Sequence, residues 1–376
     1  MTGARHLYVH LPFCAHRCGY CDFVTAVGKP GEHGAYADAL LAELELERHL
    51  LADRVETVFV GGGTPTFTEP AGLARVLAAL PRALETTVEA NPETVTPALA
   101  ELLRRGGVDR VSLGAQSFQA RLLEVLERRA GPDDVRGAVP ILRAAGFDNV
   151  SLDLIYGIPG QSAADLERDL AEALALEPEH LSCYELEAKP GTRFTHAHGD
   201  ELERQADAME SYFERVVDVL TGAGYRWYET ANFCLPPERA GGRDLRALHN
   251  LGYWRGRDYL GVGVGAVSTV AGVRWRNTPG LARYVGALGA GKRPSREPEP
   301  IDAEVHRRER VLLGLRLDEP LPLAGLEPAI DRTAAARLAE LGLLELRAGE
   351  AGEELALTRR GRFLGGGVTA ELLAEA

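Results

Sequence analysis

Residues 8–23 read YVHLPFCAHRCGYCDF, an apolar run of strand character that ends in three closely spaced cysteines. The chain has only five cysteines in 376 residues, so the grouping of Cys14, Cys18 and Cys21 needs a reason. Thiols spaced C-x3-C-x2-C can face one centre only from an irregular loop, and the intervening Ala-His-Arg and Gly-Tyr are suitable spacers. Soft thiolates select zinc or iron–sulfur clusters. A structural zinc site wants a fourth ligand, for which His10 or His16 is available. An iron–sulfur site with three protein thiolates instead leaves one iron open to a small molecule. Cys183, in a buried-strand pattern, and Cys234, in a loop, read as bystanders.

Outward from this loop, short β-rich runs alternate with segments of helical period. The strand runs are 7–13, 57–63, 86–91, 110–117, 149–157 and 180–187; apolar residues at i, i+3, i+4 mark helices over 36–51, 97–105 and 163–176. Such alternation predicts right-handed βαβ units and a parallel sheet, without deciding between an open sheet and a barrel. Polar or glycine-rich signals end at least four of the runs: the cysteines, GGGTP, EANPE and QS. In parallel α/β folds the carboxyl ends of the strands carry the ligand site, so one rim is being decorated.

Beyond residue 190 a helix is expected over 201–222, then YRWYET (225–230), a Pro/Gly/Arg-rich loop (235–246) and the segment 247–287. GKRPSREPEP (291–300) has the composition of a linker. The expected division is therefore a core over 1–290, a linker over 291–300 and a C-terminal unit over 301–376. The last unit runs helix, helix, then two short β-like runs, a winged-helix-like pattern.

The bulk properties narrow the function. A hydrophobic fraction of 45% with 26% charged residues is ordinary for a globular protein. The net charge of −13 argues against non-specific binding to nucleic acid or to an anionic membrane surface. No charged n-region precedes an apolar stretch at the N-terminus, and no run reaches the roughly 18 apolar residues of a membrane span. A cytoplasmic protein without a transmembrane segment is expected, and in that compartment clustered cysteines more often bind metal than pair.

Taken together, YVHLPFCAHRCGYCDF, GGGTPT, EANPET, GAQSF, DLIYGIPGQ and HNLGYW resemble, in order and over nearly the whole chain, the radical S-adenosylmethionine (SAM) proteins of the oxygen-independent coproporphyrinogen III oxidase group. The resemblance implies a partial (β/α)6 barrel with additional β elements. Oxidases of the group carry a further cysteine two positions after the third, where this chain has Phe23; the HemW-like heme-chaperone branch carries H-N-x-x-Y-W, matched by His249, Asn250, Tyr253 and Trp254. The similarity therefore points to a heme chaperone delivering heme to apo-hemoproteins, membrane-bound respiratory proteins among them, at the inner face of the membrane. The alternative is oxidative decarboxylation of coproporphyrinogen III, and a zinc-stabilised barrel without redox activity is a third reading.

By the same resemblance Cys14, Cys18 and Cys21 ligate a 4Fe-4S cluster whose fourth iron is chelated by SAM. Gly62, Gly63, Thr64 and Glu89 match positions that contact SAM, and Tyr8 matches an aromatic near the cluster. Gln116, Arg128 and Asp153 match positions around a second SAM in the oxidases, with Tyr20 and Val267 as further candidates. Heme contact falls to His249, Asn250, Tyr253 and Trp254, since imidazole is a common axial ligand and aromatic rings pack on porphyrin faces. His196 and His198, in THAHGD, read as a solvated loop. The resemblance leaves open whether SAM is turned over and whether the chain forms a homodimer.

Overall fold

The computed structural model describes residues 3–189, 193–349 and 352–374. All six strand runs become strands of one sheet. β1 (His6–Leu11) leads into the cysteine loop, whose ends are joined by a short parallel pair, β2 (Phe13–Cys14) and β3 (Ala26–Val27). There follow α1 (His33–Glu47), β4 (Thr57–Gly62), α2 (Pro70–Ala79), β5 (Glu85–Ala90), α3 (Pro97–Arg105), β6 (Arg110–Gln116), α4 (Ala120–Val125), α5 (Pro132–Ala144), β7 (Val150–Tyr156), α6 (Ala163–Ala175) and β8 (His180–Glu185). Strands β1, β4, β5, β6, β7 and β8 are parallel neighbours in that order.

The two faces of this sheet differ because strand side chains alternate. Leu7, Val9, Leu11, Val58, Val60, Val111 and Leu113 join the main apolar core. The alternate positions, His6, Thr57, Glu85, Arg110, Ser151 and His180, are also buried but polar. Buried polar groups call for partners, and several of these find them in one another or in the segment that follows residue 227. Arg110 Nη2 and Ser151 Oγ donate to His180 Nδ1 at 3.1 and 2.8 Å, and His180 Nε2 donates to Tyr228 Oη at 2.8 Å. Glu85 accepts the backbone N–H groups of Leu248 and His249 at 3.2 and 3.3 Å.

The rest of the chain widens the sheet without closing it. α7 (Arg193–Gln205) and α8 (Met209–Gly222) precede β9 (Arg226–Trp227) and β10 (Asn232–Cys234), and β10 runs antiparallel to β8. α9 (Leu248–Trp254) precedes β11 (Tyr259–Val262), which is parallel to β1; antiparallel β12 (Val267–Val270), β13 (Val273–Asn277) and, after α10 (Leu281–Gly289), β14 (Arg296–Pro300) complete that side. The outermost strands of the twelve are β14 and β9, so the barrel is incomplete. α11 (Ala303–Gly314), β15 (Leu321–Pro322), α12 (Arg332–Glu340), β16 (Leu344–Gly349), β17 (Gly352–Leu357), α13 (Arg359–Phe363) and α14 (Gly365–Leu372) surround a separate core that includes Val311, Leu321, Leu338 and Leu355.

Four expectations are corrected. The linker 291–300 contains edge strand β14, where Pro298 and Pro300 are tolerated because an outermost strand has one unpaired side. The helix over 201–222 is two helices: Phe194 and Leu202 of α7 pack in one cluster, whereas Tyr212, Val216 and Leu220 of α8 pack in the main core. Two apolar stripes with different targets require the turn between them. Cys234 lies in β10 rather than a loop, and His196 and His198 lie on α7, with His198 against Phe194.

One buried carboxylate ties the β11–β14 extension to α1. Glu43 accepts Gly263 N–H at 2.7 Å, Tyr284 O–H at 2.6 Å and Asn277 Nδ2–H at 2.6 Å. Glu43→Ala would leave the Gly263 N–H and Tyr284 O–H without this acceptor and Asn277 Nδ2 with only Gly263 O, and is expected to destabilise the fold by about 3 kcal/mol. Urea unfolding measures this; a loss below about 1 kcal/mol would contradict the assignment.

Candidate functional site

The cysteine loop is seated on the backbone that follows β4. Gly63 N–H donates to Leu11 O and Thr64 N–H to Phe13 O, both at 2.8 Å. A Cβ on Gly63 would lie 2.5 Å from Pro12 O, so only glycine permits this approach. The far side of the loop is held by Ala26 N–H to Pro12 O (2.8 Å), Gly28 N–H to Cys14 O (3.1 Å) and Arg17 Nη2–H to Cys21 O (3.0 Å). Tyr20 packs among Leu122, Leu126, Ile155 and Phe194.

The three thiols line one cavity of about 1190 Å³ together with Gly62, Gly63, Thr64, Glu89, Gln116, Arg128 and Asp153. None is in a disulfide. Thr64 Oγ1 donates to Cys14 Sγ at 3.5 Å and Arg128 Nη1 to Cys18 Sγ at 3.7 Å. Arg128 Nη2 also donates to Gly114 O (2.7 Å) and Asn91 Oδ1 (3.0 Å), while Asn91 Nδ2 donates to Thr64 Oγ1 (3.2 Å). One hydrogen-bonded chain thus connects two cysteines through Thr64, Asn91 and Arg128. Burial pushes the Cys14 thiol up to about 11, so its thiolate form needs a positive centre beside it. A free thiol trio, donors aimed at two of its sulfurs and an open cavity on one side fit a thiolate-bound metal cluster that leaves one position for a small ligand.

Beside the thiols is a carboxylate pair. Glu89 Oε2 accepts Gly62 N–H at 3.1 Å; burial, with the Asp153 charge adding to it, pushes its carboxyl up to about 7. Asp153 is also raised by burial and accepts Ser112 O–H at 3.1 Å. Gln116 reaches the cavity through a register irregularity between Gly114 and Gln116, where its own φ is +65°. Bulges of this kind re-aim a side chain at a site.

The sequence matches the Radical SAM superfamily over residues 8–173. The heme chaperone HemW of Mycobacterium tuberculosis is 38% identical, over 98% of this chain and 94% of that protein. The heme chaperone HemW of Bacillus subtilis is 32% identical, over 98% of this chain and 99% of that protein. The chain belongs to the HemW family. The structure of Escherichia coli coproporphyrinogen III oxidase (HemN), a radical SAM enzyme, superposes with a TM-score of 0.81 over 98% of this chain and 90% of that one, at 23% identity; the two share a fold. Radical SAM membership implies a 4Fe-4S cluster and SAM as cofactors, and the donor set just described suits them.

Against this HemW frame the candidate residues divide. Tyr20, Gly62, Gly63, Thr64, Glu89, Gln116, Arg128 and Asp153 line the cavity with the cysteines. Tyr8 does not: it lies level with Phe59 across the β1–β4 register, a layer below His10, and its hydroxyl donates to His10 Nδ1 at 3.0 Å. Val267 is likewise outside the lining, in β12 opposite Arg276. His10 cannot be a fourth zinc ligand as placed, because its Nε2–H donates to Val24 O at 2.8 Å and its Nδ1 is taken by Tyr8. His16 lies at the cavity wall, 3.8 Å from Glu127.

The H-N-x-x-Y-W segment is where sequence and structure part. Trp254 lines the cavity, but His249, Asn250 and Tyr253 do not. His249 is 1% exposed and stacks on Phe59 at 5.3 Å; its Nδ1 is hydrogen-bonded to Thr57 Oγ1 (2.8 Å) and its Nε2 to Tyr253 Oη (2.9 Å). Thr57 Oγ1 in turn meets His6 Nδ1 at 2.8 Å. The imidazole closes the amino-terminal end of the barrel and offers no free nitrogen to an iron. Trp227, Phe213, Arg316 and Phe363 also stand on the cavity wall; they carry no local motif and meet only through tertiary contact.

Burial lowers His249 to about 3 and His6 and His10 to about 4. Because the folded value lies below the unfolded one of about 6.5, the stability from neutral His249 is full above that pH and lost as pH falls toward 3. His249→Asn is therefore expected to cost about 2 kcal/mol at pH 7.5. At pH 5 the cost should shrink by about 1–2 kcal/mol, since the variant no longer carries a histidine that cannot take up a proton. Urea melts at both pH values check this; a pH-independent cost would contradict it.

Proposed function

We propose that this chain is a heme chaperone that binds heme and hands it to an apo-hemoprotein. The observation that carries the reading is its likeness to HemW heme chaperones across nearly the full length of both chains. In this reading Cys14, Cys18 and Cys21 hold a 4Fe-4S cluster and SAM completes its open iron. When bound, these cofactors supply one-electron chemistry at the sulfonium. The chain's own residues position them: Gly62 and Gly63 allow close backbone approach, Thr64 and Arg128 donate to ligand sulfurs, and Glu89, Gln116 and Asp153 supply polar contacts around SAM.

We assign Tyr8 a supporting role through His10 and give Val267 none in direct contact. The C-terminal residues 301–376 are taken as a winged-helix-like unit that closes the cavity from the side. For delivery we favour docking onto a protein surface over bare anionic lipid, given the −13 charge. Among the described residues no helix is long and apolar enough to cross a membrane.

The test is an anaerobic heme titration by absorption spectroscopy on cluster-reconstituted protein, followed by transfer to an apo-cytochrome. Saturable, near-stoichiometric binding with transfer is expected. In a Cys14→Ala, Cys18→Ala, Cys21→Ala variant, iron and acid-labile sulfide should fall to background. No specific heme binding by the intact protein would overturn the reading and favour the oxidase chemistry, assayed by coproporphyrinogen turnover. Zinc in place of iron and sulfide would overturn the cluster assignment.

A further inference from the structure

We infer that heme is held at the end of the cavity remote from the cysteines, between the β8–β10–β9 edge and the C-terminal helices, with Arg316 and Arg362 meeting its carboxylates. This rests on the heme reading above and adds the place and the recognition chemistry.

At about 1190 Å³ the cavity exceeds the usual ~300–1,000 Å³ of a small-molecule site. Its lining also changes character along its length. Around the cysteines it is polar, with Glu89, Asp153 and the Arg128 that donates to Cys18. At the other end Tyr156, Phe213, Trp227, Trp254, Leu312 and Phe363 make it aromatic and apolar. Phe213, Trp227 and Phe363 contact one another at centroid distances of 5.2–5.7 Å. Leu312 is 44% exposed although it lines this wall, an apolar surface left to solvent.

Two cations stand at this end. The Arg362 guanidinium lies 3.6 Å over the Trp227 ring and that of Arg316 lies 4.3 Å over Trp254. Arg362 Nη1 donates to Trp227 O at 2.9 Å, while its Nη2 and Arg316 Nε are buried without a partner. The neighbouring carboxylates leave both cations incompletely matched. Asp318 is held by Arg226 at 2.7 and 2.9 Å, and Glu229 reaches Arg316 only at 3.6 Å while accepting from Ala231 N–H and Asn232. Burial lowers Arg362 to about 10, which still leaves it a cation at neutral pH. In a protein of net charge −13, two stacked guanidinium groups over aromatic walls select a flat, largely apolar molecule with carboxylates at its edge. Heme has that form.

The experiment compares hemin with hemin dimethyl ester, titrated into cluster-reconstituted full-length protein and into Arg316→Gln, Arg362→Gln and the double variant. Wild type should prefer the free acid. Each single change should weaken hemin binding roughly tenfold with the ester unaffected, and the double variant should lose the preference. Because Arg362→Gln risks the fold, Leu312→Gln at an exposed wall position is a second, uncharged probe; it should weaken hemin and ester alike. If the folded variants keep both hemin affinity and ester discrimination, the site is wrong. Absence of hemin binding by the wild type would sink the heme reading itself, a separable outcome.

Discussion

The contact on which the site depends is made by backbone: the segment after β4 lies against the strand that carries Cys14. Two main-chain hydrogen bonds from Gly63 and Thr64 and an approach that no Cβ could survive fix the start of the cysteine loop. Because peptide groups make this contact, it resists side-chain drift, and it places three thiols with Gly62 and Gly63 on one rim. The Thr64–Asn91–Arg128 chain then extends that order to Cys18. Such preorganisation is what a reactive cofactor asks of a protein.

Around that rim the inner face of the sheet is largely polar. Histidines, carboxylates and Arg110 are buried there, and many of their polar atoms pair with one another or with backbone N–H groups. Half-satisfied networks are costly, so closure of the lower barrel is demanding; α9 provides it by placing His249 between Thr57 and Tyr253 and its backbone on Glu85. A motif that suggests ligand binding in the sequence thus does structural work in the fold. The cavity above it brings Glu89, Asp153 and Arg128 to the thiols and Arg316 and Arg362 to the C-terminal helices.

What was legible in the sequence was whatever is local. Short β-rich runs alternating with segments of helical period gave all six parallel strands, and the C-x3-C-x2-C spacing gave the thiol trio, because both depend on neighbours a few residues apart. Edge strand β14 was hidden by its prolines, since composition marks a linker and only pairing with β13 makes a strand. The break between α7 and α8 was hidden because each apolar stripe is helical and only its packing partner differs.

The sequence by itself determined the family, the parallel α/β order and the cysteines, all of which follow from short-range pattern and from motifs in a fixed order. Only the tertiary structure decided that His249 is a buried brace, that Tyr8 and Val267 stand off the cavity, and that Arg316 and Arg362 converge with Trp227 and Trp254 on its far wall. Burial and hydrogen-bond saturation are properties of three-dimensional neighbours, and residues as far apart as Thr57 and His249 acquire them only when the chain closes on itself.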